Sequence, residues 1–229
     1  MTLKTLNPPP SNIPFNPTLL TSNYTPVHIA DRLRKRGCNG CELGSQANFK
    51  APVVYRGNPG SGRMIIGEAP GLKEDLGGIP FVGPAGELLD LIWKSVGWDT
   101  NEDWFLTNIV LCRPVAPPGS GKQNSTPLTR HRKACLPYLR QQIASVKPKI
   151  IVLLGASAVK ALFPEHRNEP MQLLTGSVLY SDDWPDQVFF VMYHPAYLLH
   201  SKRDPEKYSE LRQTMWEHIQ QLKEIEEEL

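Results

Sequence analysis

Two stretches of this 229-residue chain, KIIVLL at 149–154 and VFFVMY at 188–193, are apolar at almost every position. A strand with one wet face alternates apolar and polar residues, so an unbroken apolar run of this length needs cover on both faces. The rest of the pattern supplies that cover. Further strand candidates lie at 63–68 and 104–108, and helical spacing of apolar residues occurs at 85–96 (AGELLDLIWKSV), 128–146, 156–162 and 205–228. Strands that alternate with helices predict an α/β fold, a three-layer α/β/α sandwich around a central, mainly parallel four-stranded sheet.

Residues 1–27 are Pro-rich without periodicity and read as a flexible N-terminal tail, leaving 28–229 as one domain. Hydrophobic and charged fractions of 40% and 21% are those of an ordinary globular protein. No apolar run approaches the roughly 20 residues that span a bilayer, and MTLKTLNPPPSNIPF lacks the apolar core of a secretory signal. The expectation is a cytoplasmic protein with no membrane partner. The formal charge of +2 hides an uneven distribution: the last six residues carry four Glu, while basic clusters stand at 32–36, 130–133 and 202–203. Such clusters suit a polyanion such as nucleic acid, or are simply solvated surface.

In parallel sheets, ligands bind beyond the carboxyl ends of the strands. Glu68, Asn108 and His194 each stand where a predicted strand runs out. Following the first of these strands, GEAPGLKEDLGGIPFVG (67–83) is too dense in Gly and Pro for a regular element, yet carries the adjacent acids Glu74 and Asp75 and one aromatic, Phe81. By contrast GNPGSGRM (57–64) only mimics a phosphate loop. Arg63 and Met64 replace the required Lys and Ser or Thr and open a strand, so the segment is a turn.

Four cysteines complete the inventory: Cys38 and Cys41 in a C-x-x-C after a basic helix, then Cys112 and Cys135. Structural disulfides are rare in cytosolic proteins, so four thiols point to a metal site. Tetrahedral zinc and a [4Fe–4S] cluster both accept four thiolates, and the spacing does not choose between them.

Taken together, GEAPGLKEDLGGIPFVG with PAGELLD, TNIVLCRP (107–114), KIIVLLGA (149–156) and HPAYLL (194–199) resemble the motifs of the iron–sulfur uracil-DNA glycosylases, family 4 of that superfamily. The motifs occur in family order from about residue 31 to the C-terminal helix, and the four cysteines fall where the family's cluster ligands do. The resemblance implies a monomeric base-excision-repair enzyme that hydrolyses the N-glycosidic bond of uracil in single- or double-stranded DNA, with a structural [4Fe–4S] cluster on Cys38, Cys41, Cys112 and Cys135. A non-catalytic four-Cys zinc or iron–sulfur nucleic-acid-binding module is the alternative.

The same resemblance assigns roles. Phe81 stacks on the extruded base. Asn108 reads uracil by accepting from N3–H and donating to O4, a pattern that cytosine inverts. His194 donates to O2 as charge grows on the leaving base. Gly67 and Ala69 belong to the wall that approaches the nucleotide. Because Ala69 stands where other uracil glycosylases carry a water-holding Asp, the carboxylate is expected from Glu74 first, then Glu68 or Asp75. Leu198 and Leu199 are the candidate wedge into the vacated stack. Three departures from the family pattern stand out: the segment between Cys112 and Cys135 is enlarged, it has no N-R pair, and His200 replaces a frequent Arg. The KRRIH insert of the branch that traps the sugar covalently is absent, which implies turnover.

Overall fold

The computed structural model describes residues 25–46 and 52–229. Helix α1 (Pro26–Arg36) opens with Thr25 as N-cap and Pro26 in its first turn, which moves the start of the folded part back from residue 28. The rest of the expected tail lies outside the described residues. Helix α2 (Glu42–Gln46) follows the C-x-x-C. The sheet elements are β1 (Arg56–Gly57), β2 (Arg63–Gly67), β3 (Phe105–Asn108), β4 (Ile150–Leu154), β5 (Val178–Ser181) and β6 (Trp184–Met192). Between them run α3 (Leu72–Gly77), α4 (Pro84–Lys94), α5 (Thr129–Val146), α6 (Ala156–Leu162) and α7 (Met171–Leu174), and the chain closes with α8 (Pro195–His200) and α9 (Pro205–Glu227).

The strand order is β1-β3-β2-β4-β6-β5. The inner four strands are parallel, as expected, but the sheet has six strands rather than four. β1 and β5 add antiparallel edges. Neither edge announces itself, because β1 is two residues long and β5 is half-buried to exposed, without an apolar run. For the same reason β6 begins at Trp184 rather than 188: its first turn of chain pairs only with the edge strand and is largely open to solvent. The 57–62 segment is the turn between β1 and β2, with the Asn58 side chain accepting from the Gly60 amide at 2.9 Å.

Alternating residues of β4 explain the layers. Ile151 and Leu153 join one core with Ile29 and Leu33 of α1, Leu139 and Ile143 of α5 and Val159 of α6. Ile150, Val152 and Leu154 join the other with Leu89 and Trp93 of α4 and Ile219 and Leu222 of α9. Every residue of β4 is buried, which is why the strand reads as a continuous apolar run. No described helix is long and apolar enough to cross a membrane.

The topology also places the site. From β2 the chain steps to β3 on one side, then crosses over to β4 on the other. The connections leaving β2 and β4 therefore diverge to opposite sides, opening a crevice at the carboxyl end of the sheet. Leu153→Ala, at the centre of this sandwich, is expected to cost about 2–5 kcal/mol in denaturant unfolding. Leu91→Ala, on the 65% exposed outer surface of α4, should stay within about 0.5 kcal/mol.

Candidate active site

A cleft of about 950 Å³ occupies that crevice, and it collects residues from sequence-distant segments: Glu68, Glu74, Phe81, Asn108, Gly155 and His194 among them. Gly67 and Asn108 are register partners at the ends of β2 and β3. A methyl group at Gly67 would lie 2.6 Å from Asn108 Oδ1 and 2.6 Å from Phe81 Cζ. Only a residue without a side chain lets both groups reach the same hollow.

Phe81 arrives there by an unusual route. Its φ is +57°, a left-handed conformation that costs an aromatic residue about 1–2 kcal/mol. The turn places the ring in the cleft, 6.5 Å from the His194 ring and inclined to it by 20°. The residue is 6% exposed and lines the cleft.

His194 follows β6 and caps α8. The Ala196 amide donates to its Nδ1 at 3.2 Å, so Nδ1 is the acceptor nitrogen and the neutral ring carries its proton on Nε2. Burial pulls its pKa down to about 4, with a smaller push from His200. The ring is therefore a neutral hydrogen-bond donor at physiological pH.

The three expected carboxylates separate. Glu74 spans the 67–83 loop: its Oε1 accepts from the Gly83 amide at 2.7 Å and its Oε2 from the Gly71 amide at 3.1 Å. Both oxygens hold backbone, which makes Glu74 the clamp of this wall. Glu68 also lines the cleft, but among the described residues only its Oε2 is engaged, by the Ser157 hydroxyl at the start of α6. Asp75 does not reach the cleft. It is 2% exposed and points to Arg113, whose guanidinium lies 3.8 Å away. Burial raises its pKa, against the pull of Arg113. Asp75 is thus removed from the candidate water-holding groups. The 67–83 segment also contains a regular element after all: α3, six residues long, starts once Glu74 can cap its own first turn.

Leu198 is a second correction. It is 3% exposed and packs with Tyr193, Leu211 and Met215, so it cannot enter a base stack. Leu199 lines the cleft and keeps that possibility. Ala69 is half-buried on the cleft wall.

Sequence reasoning missed the opposite wall. Pro114 and 123–126 line the cleft, from the base of the enlarged segment. Asn124 Oδ1 accepts from Arg113 Nε at 2.7 Å, and its Nδ2 sits 3.6 Å from the Cβ position of Gly71. Tyr193 and Tyr197 close the end near α8, with Lys207 above the Tyr197 ring. The signal was present as polar residues in a Gly- and Pro-rich segment, but nothing local says which way they face.

The four thiols share one region. Cys112 and Cys135 are buried, Cys38 and Cys41 are half-buried against the same core, and none forms a disulfide. Burial pushes Cys135 up to about 12, and Cys38 and Cys41 add to the shift; Cys112 moves the same way. Among the described residues no three His, Cys, Asp or Glu side chains are gathered tightly enough for a single metal ion. Four thiols brought to one region make an all-sulfur donor set, a chemistry that suits an iron–sulfur cluster as well as zinc.

With this geometry in hand, the comparisons are informative. Residues 54–220 match the family model described as the uracil DNA glycosylase superfamily. Among curated relatives, the type-4 uracil-DNA glycosylase of Saccharolobus solfataricus is 36% identical over 176 residues, covering 76% of each chain. That of Pyrobaculum aerophilum is 38% identical over 167 residues, 72% of this chain and 80% of the relative. That of Thermotoga maritima is 32% identical over 196 residues, 85% of this chain and 91% of the relative.

Two outcomes test this geometry. Nitrogen NMR of the His194 ring should show Nε2 protonated and Nδ1 bare from pH 8 down to about 5, whereas an imidazolium at pH 6 contradicts the site. Because the folded pKa lies below the ordinary 6.5, the unfolded chain takes up the proton first. This residue's contribution to stability is thus lost as pH falls from about 6.5 to 4. Gly67→Ala should overpack the hollow, costing about 1–3 kcal/mol in stability and displacing Phe81 or Asn108.

Proposed function

The chain belongs to the uracil-DNA glycosylase superfamily, and from that premise we infer how its cleft works. It is a DNA-repair glycosylase that hydrolyses the N-glycosidic bond of uracil in DNA, releasing uracil and leaving an abasic site. The observation that carries the residue roles is that Phe81, Asn108 and His194 line one cleft, with Phe81 and Asn108 meeting at Gly67 and the His194 ring 6.5 Å from that of Phe81.

An extruded uracil lies against the Phe81 ring, where an aromatic face stacks on any pyrimidine. The Asn108 amide accepts from N3–H and donates to O4. Cytosine places a bare acceptor at N3 and a donor at the neighbouring exocyclic position, so both contacts become repulsive. Asn108 is 3% exposed, and a buried amide left without partners is what makes such rejection strong.

Bond cleavage sends the N1–C1′ electron pair onto the base. His194 Nε2–H donates to O2 and stabilises that anion without transferring its proton, as the ring's neutrality requires. Water attacks C1′ from the other face and passes a proton to the carboxylate that holds it as the new C–O bond forms. Of the two cleft carboxylates, Glu68 retains a free oxygen for this water, while Glu74 spends both on the loop that carries Phe81 and Gly83. Glu68 therefore moves ahead of Glu74 as the water-holding group. Its charge also favours the cationic sugar. On the DNA side, Lys202 and Arg203 stand exposed just beyond His200 at the rim, suited to phosphates. In the 130–133 cluster, Arg130 pairs with Glu42 and Arg132 bonds Pro127 and Thr129, so it contributes less.

Cys38, Cys41, Cys112 and Cys135 would hold a [4Fe–4S] cluster, which when bound supplies a structural cross-link rather than a step of the hydrolysis. Held by these residues, it would tie the segment between α1 and α2 to the stretch that follows β3 and to α5.

A single-uracil oligonucleotide scored for alkali-labile sites tests this reading. Wild-type protein should convert it, and Asn108→Ala and His194→Ala should each slow conversion by about 10²–10³-fold without loss of cluster absorbance. Glu68→Gln should lose activity at unchanged melting temperature, whereas Glu74→Gln should lose both. Cys38→Ala should bleach the protein and lower its melting temperature. Full activity in both Asn108→Ala and His194→Ala refutes the site.

A further inference from the structure

We propose that Arg113 is a positioning residue of the reaction, fixing the Asn124 side chain so that its NH2 group faces the bound nucleotide. The inference rests on the glycosylase reading and concerns a wall of the cleft that the motifs leave unassigned.

Arg113 follows Cys112 beyond the end of β3 and is buried, 7% exposed. Its guanidinium is used on three sides. Nε donates to Asn124 Oδ1 at 2.7 Å, one terminal nitrogen donates to the Gln123 carbonyl at 2.9 Å, and the other lies 3.8 Å from Asp75 Oδ2. A buried cation needs a counter-charge, and Asp75 provides it at ion-pair distance, too long for a hydrogen bond.

The two partners belong to different segments of the chain. Asp75 sits on α3, next to Glu74, which clamps Gly71 and Gly83. Asn124 sits on the enlarged segment, whose base is a narrow hairpin: the Ser125 amide donates to the Pro114 carbonyl at 2.8 Å, and Val115 bridges Asn124. Arg113 thus joins α3 to the base of the enlarged segment.

Orientation follows from chemistry. A guanidinium has donors and no acceptor, so the Asn124 oxygen has to face it and the NH2 has to face away. That NH2 lies beside Gly71, on the cleft surface. The result is a fixed two-proton donor on the cleft surface beside Gly71, complementary to an oxygen of the bound nucleotide. A lysine at 113 could neutralise Asp75 but could not make the forked contact. An aspartate at 124 could accept from Arg113 but has nothing to donate.

Single-turnover rates on the single-uracil oligonucleotide, DNA affinity and melting temperature are measured for wild type, Arg113→Lys, Asn124→Ala, Asn124→Asp and the Arg113→Lys/Asn124→Ala double variant. Misplacing or removing one fixed donor should slow each single variant by roughly 10- to 100-fold, with DNA affinity within about threefold of wild type. Asn124→Asp should be as slow as Asn124→Ala while melting no lower than wild type. The double variant should be no slower than the slower single one, because both remove the same contact. The proposal is overturned if Arg113→Lys keeps its rate within twofold, if Asn124→Asp stays active, or if the losses multiply. If Arg113→Lys does not fold, the two Asn124 variants decide alone, since they leave the buried ion pair intact. Inactive wild-type protein would instead refute the glycosylase reading itself.

Discussion

A parallel strand that buries both faces has polar backbone to satisfy but no polar side chains with which to do chemistry. In this chain β2, β3, β4 and the last four residues of β6 are almost wholly committed to the two cores. Chemistry is displaced to where the strands stop and the helices on the two sides diverge. Gly67, Asn108, Gly155 and His194 occupy those stops. The sheet therefore does more than support the cleft: its register, with Gly67 opposite Asn108, sets the separation between the groups that meet a ligand.

On this frame the walls are held by polar contacts that look secondary and carry much of the order. Glu74 fastens a Gly-rich loop at two amides, and the turn that follows holds Phe81 at a positive φ. Such strain persists only where the surroundings over-determine it. His194 is neutral for a related reason: its burial makes charge expensive, and the Ala196 amide occupies the other nitrogen. A donor that is neutral before the base leaves loses nothing to reorganisation when charge appears.

Much of this was legible beforehand. The apolar runs of β4 and β6 specified burial on both faces, and the ends of three strands located Glu68, Asn108 and His194. What was illegible depended on direction. The adjacent acids Glu74 and Asp75 look equivalent in a string, but α3 turns one toward the loop amides and the other into the body of the protein against Arg113. Leu198 and Leu199 differ in the same way, since consecutive helical residues project about 100° apart and only one meets the cleft. Asn124 could not be anticipated because its role depends on a guanidinium eleven residues earlier and on a hairpin formed by Pro and Gly. The edge strands β1 and β5 were invisible because short or half-exposed edges carry no period.

The central claim is that one hollow reads uracil through Asn108 and His194 while Phe81 covers its face. Titrating free uracil into protein labelled with ¹⁵N in the Asn side-chain amides and His rings tests it directly. Saturable shifts of the Asn108 amide and of His194 Nε2, absent with cytosine and lost in Phe81→Ala, are the predicted result. Equal responses to uracil and cytosine, or a uracil response that leaves Asn108 and His194 unmoved, would contradict it.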